Sequence, residues 1–425
     1  MVVKKLFQDV SLGEIFYINT KSINPGNTPN KKFWHYSIPA YDDNKEPTLD
    51  RGADIKSNKY LLETDSILVS KLNPRIKRVW KFQKSDRHEP SICSTEFMVY
   101  QPKIPNVDLE YYTQFFSSDI FQNKLLSLQN GTTGSRMRVT PSDTLSIPIP
   151  FPSINEQRKI AAILSSVDEA IEKTEAIIEQ TEKVKKGLMQ QLLTKGISHT
   201  RFKKTEIGEI PEEWEVCKIP DVLSNEKGSI KMGPFGSQIK KEDLTSSGVH
   251  IIGIENVLNK EYVHLGNRYI SFEKFESLKT NQVLPGDVVI TTMGTIGLAD
   301  VIPEHIPTTI IDSHLIRLRV NKEKILNTYL AMIIQDYDLV KKQIKRMSQG
   351  GIMAGLNTSI IKSLSIPLPS LNEQRKIVNS LSSIDSKVQV ETEKLIKLRE
   401  IKKGLMQVLL TGKVRVKVDD EVVSS

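Results

Sequence analysis

The fold is decided by residues 149–168, IPFPSINEQRKIAAILSSVD, because this stretch returns 217 residues later as IPLPSLNEQRKIVNSLSSID, residues 366–385. The same spacing aligns KKGLMQQLLT, residues 185–194, with KKGLMQVLLT, residues 402–411, without a gap. From Ile149 to Thr194, 23 of the 46 aligned residues are identical. An internal repeat of this length indicates a duplicated architecture.

Each copy of the repeat predicts the start of a long helix. Ser153 and Glu156, like Ser370 and Glu373, have the spacing of a capping box, in which the hydroxyl and the carboxylate each bind an early backbone amide. The proline-rich residues just before them cannot themselves be helical. Apolar residues then recur three and four positions apart. They are Ile160, Leu164, Val167, Ile171, Ile178, Leu188 and Leu192, with the repeat partners Ile377, Leu381, Ile384, Val388, Leu395, Leu405 and Leu409.

Glycines mark where each helix should end. Gly196 and Gly412 stand where a C-terminal cap is expected. We therefore predict a central helix within 155–195 and a distal helix within 372–412, with about 39 helical residues between capping box and glycine, or roughly 58 Å at ~1.5 Å per residue.

A spacing near 3.5 residues favours pairing of the two helices as an antiparallel coiled coil. Thr174, Thr181 and Glu391 interrupt the apolar seam, and the alternative is that each helix packs on its own domain. Gly187 and Gly404 lie inside the last turns, where they mark either a close helix crossing or a frayed end.

The remaining sequence predicts two unlike domains of mixed α/β pattern. LLETDSILVS from Leu61 and VLPGDVVITT from Val283 each indicate a turn into a buried strand. The predicted organisation is an α/β (α+β) protein with pseudo-two-fold repetition. Its segments are a first domain over 1–154, the central helix, a polar linker over 196–212, a second domain over 213–371, the distal helix and a tail over 413–425.

Composition narrows the class of protein. Hydrophobic residues at 38% and charged residues at 26% indicate a folded globular chain. A net charge of +8 favours a polyanionic partner. Cys93 and Cys217 stand far apart without a metal-binding pattern, and no apolar run reaches the roughly 20 residues that span a bilayer. We expect a cytoplasmic protein without a membrane partner.

The repeated NEQRKI, LSS-[VI]-D and KKGLMQ-x-LLT motifs around two unlike domains resemble the specificity subunits of Type I restriction–modification enzymes. The resemblance covers the whole chain. WEVCKIPDVLSNEKGSIKMGPFGSQIKKED from Trp214 and VSLGEIFYINTK from Val10 resemble the openings of two target-recognition domains. The KSINPGNTP stretch from Lys21 lacks the GPFGS element of the second domain, so residue roles do not transfer directly between the domains.

The resemblance implies that each recognition domain binds one half of an asymmetric, bipartite site in double-stranded DNA. It also implies that the helices set the spacer and dock two methyltransferase subunits, with restriction and translocase subunits completing the complex. S-adenosylmethionine, ATP and Mg would belong to those partners, leaving no cofactor and no catalysis to this chain. The residues expected to dock partners are Asn155, Glu156, Gln157, Arg158, Asn372, Glu373, Gln374 and Arg375.

The sequence agrees with a non-catalytic role. No GxxxxGK[ST] phosphate loop occurs, and residues 73–76, NPRI, lack the second proline and the aromatic expected of an amino-methyltransferase. The alternative function is an orphan scaffold that bridges partners without reading sequence.

Candidate DNA contacts combine glycines with side chains that donate to base edges or phosphates. The alternative for each is a solvated loop. In the first domain they are Lys71, Asn73, Arg75, Lys77, Arg78, Arg136 and Arg138. In the second domain they are Lys231, Ser237, Gln238, Lys240, Lys241, Lys345, Arg346 and Gln349.

Overall fold

The computed structural model describes residues 7–130, 137–235, 238–263, 265–266, 268–348 and 355–418. The chain divides into two units. The first comprises residues 1–176 and 392–425, and the second comprises residues 177–391. Each unit therefore contains part of both long helices.

The first unit combines short strands and helices with the beginning of the central helix. Its strands are β1 Asp9–Ser11, β2 Phe16–Asn19, β3 Ser22–Ile23, β4 Lys32–Tyr36, β5 Thr48–Arg51, β6 Lys59–Leu62, β7 Ser66–Ser70, β8 Val79–Phe82, β9 Ser91–Ser94, β10 Phe97–Pro102, β11 Gln129–Asn130, β12 Arg138–Val139 and β13 Pro148–Pro150. Its helices are α1 Leu12–Ile15, α2 Ile38–Asp43, α3 Leu109–Phe116, α4 Asp119–Ser127, α5 Pro141–Thr144 and α6 Ile154–Lys195, which continues into the second unit.

The second unit contains a comparable set of elements. Its strands are β14 Phe202–Thr205, β15 Gly208–Pro211, β16 Glu215–Lys218, β17 Ile230–Met232, β18 Leu244–Thr245, β19 Val249–Ile252, β20 Tyr269–Ile270, β21 Gln282–Val283, β22 Val288–Thr291, β23 Ala299–Val301, β24 Thr309–Ile311, β25 Leu315–Leu318 and β26 Ser365–Leu368. Its helices are α7 Ile254–Asn259, α8 Phe272–Leu278, α9 Asn327–Asp336, α10 Asp338–Ser348, α11 Thr358–Ser363 and α12 Leu371–Leu409, which continues into the first unit.

The two units share the topology of one sheet and of four strands in the other. A four-stranded sheet has the order β2-β10-β7-β8 in the first unit and β17-β25-β22-β23 in the second. In the five-stranded sheets the order β6-β9-β4-β5 of the first unit corresponds to β21-β24-β19-β20 of the second, and each contains one parallel pair, β4 with β9 and β19 with β24. The fifth strand differs, because β3 pairs with β6 at one edge whereas β18 pairs with β20 at the other. The prediction of two mixed α/β domains is confirmed.

The buried strands β7 and β22 are the centre of each four-stranded sheet. Every residue of SILVS in β7 and of VVIT in β22 is buried, as expected for a short apolar run covered on both faces. The prediction of a turn into a buried strand is therefore confirmed in both domains. In the first unit, Tyr112 and Phe116 of α3 join the core cluster that contains β7 residues Ile67 and Val69.

The segment predicted as a polar linker over 196–212 contains a hairpin. β14 and β15 pair antiparallel around a turn in which Gly208 has a φ of 98°. Ile207 and Ile210 are buried in the core of the second unit, with Trp214. The hairpin therefore belongs to the second domain, because its apolar residues have a core to join.

Both long helices form close to the predicted positions. At the start of α6 the Ser153 hydroxyl accepts from Glu156 N at 3.4 Å and the Glu156 carboxylate accepts from Ser153 N at 3.2 Å, so the first capping box is confirmed. At the start of α12 only half of this box forms, because Ser370 caps Glu373 N at 3.3 Å while the Glu373 carboxylate binds elsewhere. The helices end before Gly196 and Gly412, whose φ values of 64° and 70° are those of left-handed caps.

Antiparallel helix pairing occurs within each unit. In the first unit Arg399 of α12 lies 2.6 Å from Glu175 of α6, and Lys402 of α12 pairs with Asp168 of α6. Residue numbers therefore increase along one helix as they decrease along the other, which is the antiparallel arrangement. In the second unit Lys185 pairs with Asp385, and these are the repeat partners of Lys402 and Asp168. The duplicated ion pair indicates that the repeat encodes the same helix contact twice.

The helices pack on the domains in addition to pairing with each other. Ile160 and Leu164 of α6 share a core cluster with Tyr112, and Leu409 and Leu410 at the end of the second repeat join the same cluster. No helix among the described residues is long and apolar enough to cross a bilayer.

Among the described residues, neither Gly187 nor Gly404 lies at a close helix crossing. A Cβ built at either position meets nothing within 4 Å among the described residues. Both glycines lie inside continuous helix, where glycine costs about 1 kcal/mol relative to alanine. Neither glycine is therefore required by the packing of the single chain.

Candidate nucleic-acid interface

The loop after β7 brings together two of the predicted DNA-contact segments. Asn73 adopts the left-handed conformation with a φ of 48°, and its N–H donates to Met137 O at 2.8 Å. Val139 N donates to Lys71 O at 3.1 Å, and the Gln122 amide donates to Pro74 O. Residues 71–78 and 137–139 therefore form one surface, held by backbone hydrogen bonds.

Several basic side chains of this surface are already paired. Lys77 forms an ion pair with Asp119. Arg138 forms another with Glu96, at 3.0 Å. Both basic side chains nevertheless remain exposed. Lys71 and Asn73 are half-buried, and Arg75 is exposed. Hydrogen bonding to Lys77 lowers the pKa of Asp119, so this carboxylate stays ionised. Arg75 is the cation of this loop most available to a ligand.

Arg78, a predicted DNA contact, is buried and paired within the first domain. It is 8% exposed, and its Nε and Nη2 donate to the two carboxylate oxygens of Asp42 at 2.7 and 2.8 Å. Two parallel hydrogen bonds between a guanidinium and a carboxylate form a strong ion pair. The hydrogen bonds from Arg78 lower the pKa of Asp42. The sequence expectation is corrected because the guanidinium fork is occupied within the fold.

The GPFG stretch of the second domain follows β17. A Cβ on Gly233 would lie 1.7 Å from Asp312 O, so only glycine fits this close approach. Phe235 is 67% exposed, and its N–H donates to the Gln238 side chain at 3.1 Å. Lys231 is half-buried in the strand, whereas the three predicted residues after the turn are exposed. These are Gln238, Lys240 and Lys241.

Helix α10 supplies a second cationic surface. Lys345 and Arg346 are exposed, while Val340 and Ile344 on the same helix are buried. The predicted contacts Arg136, Ser237 and Gln349 lie outside the described residues.

Sequence reasoning missed the loop over residues 292–298, TMGTIGL, which follows β22 as residues 71–78 follow β7. Gly294 has a φ of 66°, matching Asn73. Thr292 O accepts from Leu356 N at 3.0 Å, as Lys71 O accepts from Val139 N. The parallel between the two turn-and-strand sequences is the signal for this loop, which carries none of the charged side chains used to select candidate DNA contacts.

The equivalent loops have opposite chemistry. Residues 71–78 carry lysine and arginine, whereas residues 292–298 carry no charge. Met293 is 49% exposed and Ile296 is 37% exposed. A Cβ on Gly297 would lie 3.6 Å from Ile344 Cδ1, which places the uncharged loop beside α10.

The residues predicted to dock partners are mostly part of the fold. Gln157 is fully buried, accepts from Asp108 N at 2.8 Å and donates to Pro152 O at 2.9 Å. Gln374 is fully buried, accepts from Leu326 N at 2.8 Å and donates to Pro369 O at 2.9 Å. Both glutamines fasten a helix start to its own domain, so the docking expectation for them is corrected.

The two glutamates hold the segments that follow the opposite helix. Glu156 is buried and pairs with Arg415, beyond the end of α12. Glu373 accepts from Ile197 N at 3.0 Å and from Trp214 Nε1 at 2.9 Å, beyond the end of α6. These carboxylates are satisfied within the chain, which corrects their docking assignment as well. Among the predicted docking residues Arg158, Asn372 and Arg375 are exposed and Asn155 is half-buried.

A duplicated α/β domain, two differing loop surfaces and helix pairs with repeated contacts define a two-domain recognition protein. The family model described as "Type I restriction modification DNA specificity domain" matches residues 4–183 and again 211–400. The chain belongs to this family, in which it is a DNA specificity protein of the Type I restriction–modification class.

Relatives carry matching names. The Type I restriction enzyme MjaVIII specificity subunit of Methanocaldococcus jannaschii is 31% identical over 280 residues, covering 64% of this chain and 63% of the relative. A chain of the same organism named for the MjaX specificity subunit is 30% identical over 311 residues, covering 72% of this chain and 68% of the relative. This chain thus aligns with about two thirds of each relative's length.

Solved structures share the fold. The chain matches a structure on complex assembly and conformational transition of the Type I R-M system with a TM-score of 0.62 and 18% identity, covering 97% of this chain and all of that one. It matches the crystal structure of the Type I restriction–modification S subunit from M. genitalium with a TM-score of 0.55 and 16% identity, covering 98% of each. At these identities the likeness establishes the fold alone.

Proposed function

We propose that this chain selects the DNA sequence for a Type I restriction–modification complex, with each unit binding one half of an interrupted, asymmetric site. One observation supports this most. The two units share the topology of the four-stranded sheet, but the loops after β7 and β22 of that sheet differ in chemistry, one basic and one uncharged. Equivalent scaffolds with unlike loops would read unlike half-sites, because base edges are distinguished by the side chains presented to them.

The proposed partners are double-stranded DNA, two methyltransferase subunits, and restriction and translocase subunits. The methylation and cleavage chemistry, with S-adenosylmethionine, ATP and Mg, is assigned to those subunits, and this chain is the non-catalytic, cytoplasmic reader. Docking on the helices is supported by Gly187 and Gly404, which both repeat copies carry although nothing in the described chain occupies the space above them. A partner helix could approach closely there.

Methylation mapping tests the role directly. DNA from cells that express this chain with its methyltransferase subunit would be compared with DNA from cells that lack only this chain. We expect methylation at one interrupted, asymmetric motif that disappears without the chain. A palindromic motif, or methylation that persists without the chain, would contradict the proposal.

The Arg75→Ala variant tests a predicted contact. If Arg75 reads a base, its loss should weaken binding by about 1–3 kcal/mol and relax preference at one position of one half-site. Lys173→Ala is the matched control, since it removes one positive charge from a side chain that is 76% exposed on α6. An equal loss on every sequence would assign Arg75 to phosphate contact instead.

Helix length tests the spacer. Seven residues added to both α6 and α12, between residues 176 and 177 and between residues 391 and 392, keep the heptad phase and lengthen each helix by about 10 Å. We expect the permitted gap between half-sites to grow by about three base pairs at ~3.4 Å each. An unchanged gap would refute the role of the helices in spacing.

The second candidate is a scaffold that bridges partners without reading sequence. It is supported by the internal pairing of Arg78, Lys77 and Arg138, which reduces the free charge of the first surface. This candidate predicts sequence-indifferent binding that is lost as salt rises, whereas the first predicts discrimination that survives. A competition assay at two salt concentrations separates them.

A further inference from the structure

The uncharged loop over residues 292–298 is rigidly held although its apolar side chains face outward. The Thr291 hydroxyl donates to Thr295 O and accepts from Leu298 N at 3.1 Å. Gly297 N donates to Thr291 O at 3.0 Å. This bonding closes the loop on itself and leaves Met293 and Ile296 among the exposed large hydrophobic side chains of the chain.

The loop occupies the place that the basic loop occupies in the first unit. Both follow the central strand of the four-stranded sheet, and each places its third residue in the left-handed conformation, Asn73 and Gly294. The basic loop also exposes one apolar side chain, Ile76, at 46%. An exposed apolar tip is thus common to both loops, and only the second loop consists of apolar, glycine and hydroxyl residues throughout.

The neighbouring charges favour DNA over a protein partner. Gly297 packs beside Ile344 of α10, the helix that exposes Lys345 and Arg346. Cations at the border of an apolar contact suit phosphates on either side of a base edge. The one apolar group that a base pair presents in the major groove is the thymine methyl.

We infer that Met293 and Ile296 are specificity-determining residues that contact thymine methyl groups in one half-site. This inference rests on the proposed function and adds to it the base that the second unit reads. The loop offers no charged or amide side chain to pair with guanine or adenine. Discrimination therefore comes from burying the methyl group, and Lys345 and Arg346 supply the sequence-independent attraction.

Deoxyuridine scanning tests the inference, because deoxyuridine differs from thymidine only by the methyl group. A random duplex library would first be selected with the full chain to obtain its motif. Each thymine of the motif would then be replaced singly by deoxyuridine and the affinity measured. We expect a loss of roughly 4- to 10-fold at one or two positions, all in one half-site, from the apolar area of a buried methyl group.

Variants assign the effect to the loop. In Met293→Ala or Ile296→Ala the deoxyuridine penalty should fall toward onefold, while Ile76→Ala in the equivalent loop should leave it unchanged. Circular dichroism of each variant checks the fold. Three results would overturn the inference. They are a deoxyuridine penalty that persists in both loop variants, tolerance of deoxyuridine at every position, and a motif that lacks A·T pairs in both half-sites.

Failure of the proposed function gives a different result. If no motif is enriched from the library, the chain does not read sequence and the proposed function itself fails. If a motif is enriched but deoxyuridine is tolerated, only the thymine inference fails. If the loop variants bind DNA normally but no longer copurify with the methyltransferase subunit, the loop is a protein-docking surface and the inference is wrong.

Discussion

Replacing Gln374 with alanine tests whether the NEQR motif fastens the fold or binds a partner. The Gln374 side chain is fully buried. Its oxygen accepts from Leu326 N at 2.8 Å, and its nitrogen donates to Lys324 O at 3.1 Å and to Pro369 O at 2.9 Å. Alanine removes all three bonds and leaves Leu326 N, Lys324 O and the buried Pro369 O without this partner.

The magnitude follows from these bonds. A net contribution of about 1 kcal/mol per hydrogen bond, with an added cost for unsatisfied buried groups, predicts that Gln374→Ala destabilises the second unit by about 3–5 kcal/mol. Arg375→Ala is the matched control, because Arg375 is exposed on the next position of the same helix. Its effect should stay within about 0.5 kcal/mol.

The assay must resolve the two units, since a single transition is not assured for a chain of two compact parts. Pulsed hydrogen exchange with mass spectrometry along a urea series reports separately on peptides from β22 and from β7. We expect the β22 peptides to lose protection at lower urea in Gln374→Ala and the β7 peptides to change less. A loss below about 1 kcal/mol, or one equal to that of Arg375→Ala, would refute the structural role and restore Gln374 as a docking candidate.

Gly187→Ala and Gly404→Ala should each stabilise the single chain by about 1 kcal/mol, measured by urea unfolding, because each added Cβ meets open space inside a helix; destabilisation would show a contact that the geometry excludes. Gly196→Ala should destabilise the chain by more than about 1 kcal/mol in the same assay, since its φ is 64° and its Cβ would lie 2.4 Å from the Glu373 carboxylate; a neutral result would contradict the left-handed cap. Burial raises the pKa of Glu156, but hydrogen bonds from Arg415 and Ser153 outweigh it and leave the pKa below its ordinary value. The folded state therefore gains stability above that value and loses it as pH falls through the lower folded pKa. Arg415→Ala should raise the folded pKa and shift acid unfolding of the first unit to higher pH, as followed by circular dichroism; an unshifted acid transition would argue against the pair.

The helices and buried strands could be predicted because their signals are local. Capping residues, proline breaks and apolar spacing are set by hydrogen bonding and geometry over a few neighbours. The repeat predicted a duplicated architecture, and the structure adds that one ion pair occurs twice, as Lys185 with Asp385 and as Lys402 with Asp168. Side-chain roles were harder to predict, because a charge near glycine does not reveal whether its partner is solvent, DNA or a carboxylate such as Asp42.

By itself the sequence determined the duplicated plan of two α/β domains and two long helices, since periodicity and identity between copies are properties of the chain alone. Only the tertiary structure decided that Arg78 is bound to Asp42, that Gln157 and Gln374 are buried, and that residues 292–298 stand where the basic loop stands. These outcomes depend on segments far apart in sequence that meet in space. Burial and pairing, rather than residue type, then determine which side chains remain available to a ligand.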